Sequence, residues 1–409
     1  MFRPIVFLFL RVFFVSSVDR LPEESLTTPE LITYWGYPVE VHTVTTEDGY
    51  VLQLHRIPYG RSGNGHSAVP SSPRPVFFLQ HGLIASSADW VTNLPSQSLA
   101  FILADAGFDV WMGNVRGNFY SDAHINCTKL EKKFWEFTWD EMAFKDLPAM
   151  VEKSLNISGQ PFLYYVGHSQ GTSIIFAKLA SENETFAKKI RKVFALAPVA
   201  SVKNIDGLIA FLGRYFGRNL WALRFVFGTH DFLPHNWMSI MFAKIICGMS
   251  WRNVLCENVA FQIAGPESNQ MNQSRLMVYA EHIPAGTSTW NIIHWAQMRN
   301  SGKMQMFDFG DKRINRKHYG QDSPPLYNLS RISVPIYLYY SDTDWLADAR
   351  DIEETILRSV RPQFIKRALK VTNFNHFDFV WGLLAPGKIY KEIIGTVKRH
   401  EKAIGRNKN

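Results

Sequence analysis

The sequence predicts an α/β fold in which helices cover both faces of a mostly parallel sheet. Short apolar runs alternate along the chain with longer segments whose apolar residues recur at helical spacing. An apolar run of roughly four to eight residues between turns is typical of a parallel strand that is buried on both faces. The alternation stops after about residue 201 and resumes near residue 334. We therefore predict one α/β domain that is interrupted by an insertion.

The first part of the chain supplies most of the predicted strands. Residues 38–46 and 51–57 alternate apolar and polar side chains around Glu47, Asp48 and Gly49, which predicts a β-hairpin. The elements that follow are strand 76–80, helix 99–107, strand 108–113, helix 139–155, strand 162–167, helix 173–181 and strand 193–200. Strands that alternate with helices in this way build a parallel sheet.

The insertion covers residues 202–329 and is expected to form a mostly helical cap. It is rich in Trp, Phe, Met and Asn and contains no clear buried strand. Strands at 334–340 and about 368–373, and a helix at about 386–399, then complete the domain. An insertion between late strands lies above the carboxyl ends of the sheet, where open α/β sheets bind ligands. The predicted boundaries are 30–201 for the first part of the core, 202–329 for the cap and lid, and 330–399 for the second part.

The amino terminus has the layout of a secretory signal peptide, which we assign to residues 1–17. Arg3 precedes an apolar stretch from Ile5 to Val15, and small residues follow it. That stretch is shorter than the roughly 20 apolar residues of a spanning helix, and no other apolar segment reaches that length, so we predict no transmembrane segment. We therefore expect the mature protein in the secretory pathway.

Entry into the secretory pathway predicts glycosylation and disulfide formation. The acceptors of the N-x-S/T sequons are Asn126, Asn156, Asn183, Asn272 and Asn328. Three cysteines are too few for a disulfide scaffold. Cys247 and Cys256 are close in sequence and form the expected pair in an oxidising compartment, which leaves Cys127 unpaired.

Composition and charge exclude several functional classes. Hydrophobic residues make up 46% of the chain and charged residues 20%, so the chain can fill a large core and is not disordered. The net charge of +8 is diffuse, and the basic clusters at 188–192, 312–317 and 398–408 are typical of solvated faces. We therefore predict no nucleic-acid partner. The motifs of nucleotide and metal sites are missing, so we predict neither a cofactor nor a metal.

The residues GHSQG at 167–171 fit the G-x-S-x-G pattern of a nucleophile elbow. They follow a predicted strand and precede a predicted helix, which is the setting that this motif requires. Glycines flank the serine because the turn is strained and the side chain must project into a cleft. We predict Ser169 as the nucleophile. His168 lies inside the elbow and cannot face the serine as its base, so we interpret it as structural.

A serine nucleophile needs a base, and the base needs a carboxylate to orient it. In α/β-hydrolases the acid and then the histidine follow the serine along the chain. His376 follows the last predicted strand, whereas His400 lies in a basic terminal helix, so we predict His376 as the base. The acids that follow strand 334–340 are Asp342, Asp344 and Asp348, and spacing alone does not separate the first two.

Two backbone N–H groups are needed to stabilise the oxyanion of an acyl-transfer reaction. One donor is expected from Gln170, the residue after the nucleophile, and the other from a loop after an early strand. Strand 76–80 runs into His81, Gly82 and Leu83. We therefore predict Leu83 as the second donor.

Several stretches carry a family resemblance that spans about residues 30–395. They are GYPVEVHTVTTEDGYVLQLHRIP (36–58), HGLIASSADWVTNLPSQSLAFILADAGFDVWMGNVRGN (81–118), FWEFTWDEMAFKDLPAMVE (134–152), GHSQGT (167–172), DWLAD (344–348) and NHFDFVWG (375–382). They resemble the acid lipase family, which includes gastric lipases and lysosomal acid lipase. The resemblance implies an α/β-hydrolase fold with a cap and lid. It also implies a secreted or lysosomal enzyme that hydrolyses neutral lipid esters, triacylglycerols or cholesteryl esters, through an acyl-enzyme.

The same resemblance implies roles for individual residues. It assigns the acid to Asp344, supports Ser169 and His376 as the other members of the triad, and matches Cys247 and Cys256 to the disulfide of the family's cap. The chain departs from the family where Ser341, Asp342 and Thr343 replace the usual glycines, which adds a carboxylate near the triad. A further cap cysteine of the family is missing, and Cys127 is extra.

Two other functions remain open on the sequence: a catalytically silent lipid-binding protein on this fold, and a carboxylesterase of small esters. A silent protein should have lost a triad residue, yet all the candidates are present. The segment at about 235–265 is crowded with Trp, Met, Phe and Ile. We interpret it as a lid that turns outward at a lipid surface, which predicts transient adsorption and interfacial activation; a buried helix pair is the alternative.

Overall fold

The computed structural model of the protein describes residues 21–61, 74–181, 184–207, 228, 230–235 and 261–406. Several predictions concern residues outside these ranges. They are the signal peptide, the sequon at Asn183, the disulfide between Cys247 and Cys256, and most of the lid segment.

The core of the described chain is a sheet in the order β1-β2-β4-β3-β6-β7-β10-β11, with β5 paired to β2. The strands are β1 (Glu40–Thr45), β2 (Tyr50–Ile57), β3 (Val76–Gln80), β4 (Asp109–Gly113), β5 (Ala123–His124), β6 (Leu163–His168), β7 (Ile190–Leu196), β8 (Asp231–Phe232), β9 (Thr287–Ser288), β10 (Ile336–Tyr340) and β11 (Ile365–Lys370). The strands from β4 to β11 in this order are parallel to their neighbours, while β1, β2 and β5 add an antiparallel edge. The prediction of a mostly parallel α/β sheet is confirmed.

Helices follow most strands and pack on the sheet. They are α1 (Thr28–Tyr34), α2 (Leu99–Asp105), α3 (Trp139–Glu141), α4 (Leu147–Ser158), α5 (Gln170–Ala180), α6 (Glu184–Ala187), α7 (Leu276–His282), α8 (Thr289–Ser301), α9 (Lys312–Tyr319), α10 (Ala349–Asp351), α11 (Leu357–Ser359), α12 (Asp378–Trp381) and α13 (Lys391–Arg406). Single π-helical turns at Met142–Asp146, Ile352–Ile356 and Pro386–Tyr390 lead into α4, α11 and α13. No helix among the described residues is both long enough and apolar enough to cross a membrane.

Burial explains which strands the sequence predicted well. Every residue of β3, β4 and β6 is buried, so these central strands appear in the sequence as continuous apolar runs. The edge strand β11 contains Lys366, Arg367 and Lys370 and is mostly exposed. It begins at Ile365 instead of about residue 368 because a solvated edge strand lacks the apolar signal.

The chain leaves the sheet after β7 and returns at β10, which pairs with β7 through Ile336 and Val193. The described residues between them include the small ladder of β8 and β9 and the helices α7 to α9. This segment contacts loops at the carboxyl ends of the strands. The backbone N–H of Ala285 donates to the carbonyl of Ile84, in the loop after β3, at 2.7 Å. The carboxyl edge of the sheet therefore lies beneath the inserted segment.

Candidate active site

The predicted nucleophile, Ser169, lies on a sharp turn between β6 and α5. Its backbone has φ 53° and ψ −122°, a strained conformation that persists only where the surroundings enforce it. The two glycines of the motif, Gly167 and Gly171, lie where the surrounding backbone leaves no room for a side chain. A β-carbon on Gly167 would lie 2.8 Å from the carbonyl carbon of Gly171, and one on Gly171 would lie 2.9 Å from the carbonyl oxygen of His81. Close packing of β6, α5 and the loop after β3 therefore accounts for both glycines.

Ser169, His376 and Asp344 form a continuous hydrogen-bonded chain. The Oγ of Ser169 lies 2.8 Å from Nε2 of His376. The Nδ1 of His376 lies 2.9 Å and 3.0 Å from the two carboxylate oxygens of Asp344. Asp344 is buried, and its Oδ1 also accepts the backbone N–H groups of Leu346 and Ala347. A carboxylate held in this way keeps a proton on Nδ1 and leaves Nε2 able to accept the serine proton.

The other two acids considered from the sequence point elsewhere. The side chain of Asp342 is 67% exposed and forms an ion pair with Lys370 at 2.8 Å. The side chain of Asp348 accepts the backbone N–H of Arg350 and caps α10. The structure therefore brings Asp344 to the histidine, and the additional carboxylate of this chain is paired with a lysine.

The two predicted oxyanion donors belong to the residue after Ser169 and to the loop after β3. Gln170 is the first residue of α5, where backbone N–H groups lack partners within the helix. The loop after β3 passes directly against the serine, since a β-carbon on Gly82 would lie 3.1 Å from Cβ of Ser169. The N–H groups of Leu83 and Gln170 find no acceptor among the residues that the structure describes. Both therefore remain predicted oxyanion donors.

Two buried histidines outside the triad hold the loops of the site. Nδ1 of His81 donates to the carbonyl of Gly82 at 2.8 Å, and Nε2 accepts the N–H of Val115. Burial lowers the pKa of His81 to about 4, so this ring is neutral. Nε2 of His168 donates to the carbonyl of His376 at 3.0 Å, and burial holds the pKa of His168 well below its usual value. Both histidines act on backbone groups, and His168 braces the loop that carries the base.

Residues of the inserted segment also reach the site, and the sequence motifs did not predict these contacts. The carbonyl of Ala264 accepts the backbone N–H of His376 at 3.0 Å. The side chain of Gln170 accepts hydrogen bonds from Asn291 and Trp295, which are 121 and 125 positions away. The sequence signal for the second contact is the i, i+4 spacing of these two residues on α8, which places both on one helix face.

The remaining predicted sites that the structure describes are exposed or partly buried. Asn126, Asn156 and Asn328 are exposed, Asn272 is partly buried, and Cys127 is a partly buried free thiol. Within the described part of the chain, no group of three or more His, Cys, Asp or Glu residues is arranged to hold a metal ion.

A strained serine between a buried strand and a helix, in contact with a His-Asp pair from later loops, defines a serine hydrolase of the α/β-hydrolase fold. Comparisons with known proteins agree. A family model described as a partial alpha/beta-hydrolase lipase region matches residues 28–94, and one described as the alpha/beta hydrolase fold matches residues 75–234. A crystal structure from Sulfolobus solfataricus shares the fold, with a TM-score of 0.53 at 12% identity over 88% of this chain and 94% of that one.

Curated relatives identify the family. Lipase lipl-3 of Caenorhabditis elegans is 51% identical over 91% of this chain and 92% of its own length. Gastric triacylglycerol lipase of Homo sapiens is 44% identical over 93% of each chain. The chain belongs to the acid lipase family, together with the gastric triacylglycerol lipases, and the resemblance noted in the sequence is confirmed.

Proposed function

We propose that this protein is a secreted or lysosomal lipase that hydrolyses the carboxylic ester bonds of neutral lipids, namely triacylglycerols, cholesteryl esters or both. The observation that carries the proposal is the contact of Ser169 with His376 and of His376 with Asp344. This contact occurs in a chain whose relatives include proteins named as lipases and as gastric triacylglycerol lipases. A catalytically silent protein would have no need of a complete triad.

The geometry supports acylation of the serine as the first half of the reaction. The Oγ of Ser169 attacks the ester carbonyl carbon while Nε2 of His376 takes the hydroxyl proton. The carbonyl oxygen becomes an oxyanion, which accepts hydrogen bonds from the backbone N–H groups of Leu83 and Gln170. The tetrahedral intermediate then collapses. The carbon–oxygen bond to the alcohol breaks, the alcohol leaves with the proton from Nε2, and the acyl group stays on Ser169.

Deacylation repeats these steps with water as the nucleophile. His376 takes one proton from the water while the water oxygen attacks the acyl carbon. The same two N–H groups stabilise the second oxyanion. Collapse returns the proton to Oγ of Ser169 and releases the fatty acid. The contact of His376 with Asp344 stabilises the imidazolium that forms in each half-reaction.

Secretion and adsorption to lipid are supported by the sequence. The signal peptide assigned to residues 1–17 and the exposed sequons at Asn126, Asn156 and Asn328 agree with passage through the secretory pathway. The apolar segment at about 235–265 has the composition of a surface that adsorbs transiently to a lipid interface. Burial of each large apolar side chain in lipid would contribute roughly 1.5–3 kcal/mol.

The proposed activity can be tested with the glycosylated protein. Emulsified triolein and cholesteryl oleate should be hydrolysed at some pH between about 4 and 8, and the ratio of the two rates gives the substrate preference. Ser169→Ala should abolish both activities and the labelling by a fluorophosphonate. Ser173→Ala is the matched control, because Ser173 is a buried serine of α5, the helix that follows Ser169, and it donates to the carbonyl of Val199. Full activity in Ser169→Ala would refute the proposal.

Interfacial behaviour is tested by titrating a short-chain triacylglycerol through its solubility limit. The rate should rise sharply where the emulsion forms, and Trp237→Ser should reduce that rise. A simple hyperbola through the limit, with an unchanged rate in Trp237→Ser, would identify an esterase of dissolved substrates instead.

A further inference from the structure

The side chain of Gln170, and not only its backbone, is fixed in the site. It is 2% exposed, and its Oε1 accepts Nδ2–H of Asn291 at 2.9 Å and Nε1–H of Trp295 at 2.8 Å. Its Nε2 donates to the sulfur of Met142 at 3.5 Å. An indole nitrogen can only donate, so the atom that faces Trp295 must be the amide oxygen. Two donors on one acceptor hold the amide in a single orientation.

The donors are themselves held to the core. Asn291 is completely buried, and its Oδ1 accepts the backbone N–H of Trp139 at 3.0 Å. Just before α8, the hydroxyl of Ser288 donates to the carbonyl of Phe137 and caps the helix by accepting the backbone N–H of Asn291. Trp295 packs at the edge of the core. The face of α8 that contacts Gln170 is therefore fixed to the segment that leads into α3 and α4.

This matters because the backbone beside Gln170 is strained. The N–H of Gln170 belongs to the peptide that links it to Ser169, and Ser169 has φ 53°. A conformation of this kind persists only where neighbouring contacts hold it. The hydrogen bonds to the side chain of Gln170 restrict rotation of Gln170 relative to Ser169. They therefore also restrict the direction of the backbone N–H of Gln170. An oxyanion donor stabilises a transition state only when it already points at the developing charge.

We propose that Asn291 and Trp295 are positioning residues of the oxyanion hole, which hold the side chain of Gln170 and thereby aim its backbone N–H at the substrate oxyanion. The inference rests on the proposed ester hydrolysis through Ser169. If the inference holds, catalysis depends on the position of α8, a helix of the inserted segment, as well as on the loops that follow the strands of the sheet.

The test separates transition-state stabilisation from folding. Trp295→Phe removes one N–H and keeps an aromatic ring, and Asn291→Leu removes the other donor. With the soluble ester p-nitrophenyl butyrate we expect kcat to fall about 10-fold in Trp295→Phe and up to about 100-fold in Asn291→Leu, with KM unchanged. The inhibition constant of hexylboronic acid should rise by similar factors, because its tetrahedral serine adduct resembles the transition state.

A double-mutant cycle tests whether the effect passes through Gln170. Gln170→Leu keeps the backbone N–H and removes the acceptor, so kcat should fall to a similar extent. In that background Trp295→Phe should have little further effect, because the hydrogen bond that it removes is already lost. Additive losses would show that Trp295 acts by another route and would overturn the proposal.

Two controls account for general weakening of the inserted segment. Asn315→Ala removes a buried asparagine of α9 that bonds Phe309, Asp308 and Asp322, and Trp290→Phe alters a tryptophan of α8 that stacks on Phe307. Both should lower the melting temperature while leaving kcat and the boronic acid inhibition constant near wild type. Equal losses of kcat in the controls, or unchanged kcat and inhibition in Trp295→Phe and Asn291→Leu, would refute the inference. Failure of fluorophosphonate to label Ser169 would instead refute the proposed function.

Discussion

At the scale of single residues, the acid of the triad shows what motif spacing and geometry each contribute. Asp342 and Asp344 are two positions apart, and both follow a predicted strand, so sequence spacing does not separate them. The backbone decides, because it presents one carboxylate to His376 and the other to Lys370. The sequence alone was enough to predict Ser169 as the nucleophile, because its motif and the strand and helix beside it lie within one short stretch.

Replacement of Asp344 should therefore be far more damaging than replacement of Asp342. In Asp344→Asn the oxygen that accepts the N–H groups of Leu346 and Ala347 can remain, so the amide nitrogen replaces the other oxygen, which is the nearer of the two to Nδ1 of His376. The ring is then driven to the wrong tautomer, and we expect kcat to fall by about 10³-fold or more. Asp342→Asn, which loses an exposed ion pair, should stay within about three-fold of wild type. Steady-state kinetics on a soluble ester measures kcat of both variants. A larger loss in Asp342→Asn than in Asp344→Asn would show that Asp344 is not the acid.

A buried carboxyl group in the loop after β3 predicts a pH dependence of stability. Asp89 is buried, and burial raises its pKa to about 8 from an unfolded value near 4. The folded state thus favours the protonated form. The stabilisation is complete below about pH 4, falls progressively as the pH rises from about 4 to 8, and is absent above that range.

Thermal or denaturant unfolding at several pH values measures this effect. Between about pH 5 and 7 the wild type should lose up to about 1.4 kcal/mol per pH unit relative to Asp89→Asn, whose amide does not ionise. The buried histidines His55 and His81 have lowered pKa values, so their contribution to stability rises with pH. Both proteins share this contribution, and it therefore cancels in the comparison. Parallel stability curves for the two proteins would show that Asp89 does not titrate as described.

At the scale of elements, the sequence predicted those whose residues carry a strong local signal. The central strands and the helix after the nucleophile belong to this group. The contacts of α8 with Gln170 were not predicted, because the i, i+4 spacing of Asn291 and Trp295 marks one helix face but does not identify a partner that is 121 positions away from Asn291. The start of β11 was misplaced for a different reason: its three basic residues and mostly exposed side chains are those of an edge strand, which lacks a continuous apolar run.

The contact between α5 and the loop after β3 should be intolerant of any added atom. A β-carbon on Gly171 would meet the carbonyl oxygens of Gln80 and His81, which are backbone atoms and cannot rotate away. We expect Gly171→Ala to destabilise the protein by about 3 kcal/mol or more and to displace the elbow. Gly387→Ala is the matched control, because that position has open space and no left-handed conformation. Chemical denaturation should show a large loss in the first variant only.

At the scale of the whole molecule, a buried ion pair joins the described amino-terminal segment to the inserted one. Glu23 and Arg275 lie 2.7 Å apart, with side chains 5% and 2% exposed. Nε of Arg275 also donates to the carbonyl of Thr92, in the stretch between β3 and α2. Three distant parts of the chain therefore meet at one guanidinium, in a place that no motif marked.

Removal of one partner should leave a buried charge without compensation. We expect Glu23→Ala to lower the free energy of unfolding by about 3–5 kcal/mol. Asp122→Ala breaks the exposed pair with Lys129 and should cost less than about 1 kcal/mol. Denaturant titration of both variants tests this contrast. Similar small losses would show that water replaces the carboxylate beside Arg275.

The order in which the triad residues occur along the chain has a consequence for biosynthesis. Ser169 and its predicted base, His376, are 207 positions apart, with the inserted segment between them. A ribosome that has completed the elbow has still to translate that whole stretch before a base exists. Under the proposed mechanism the nascent polypeptide carries a serine hydroxyl without its base, and we expect a stop codon anywhere in the interval to yield an inactive product.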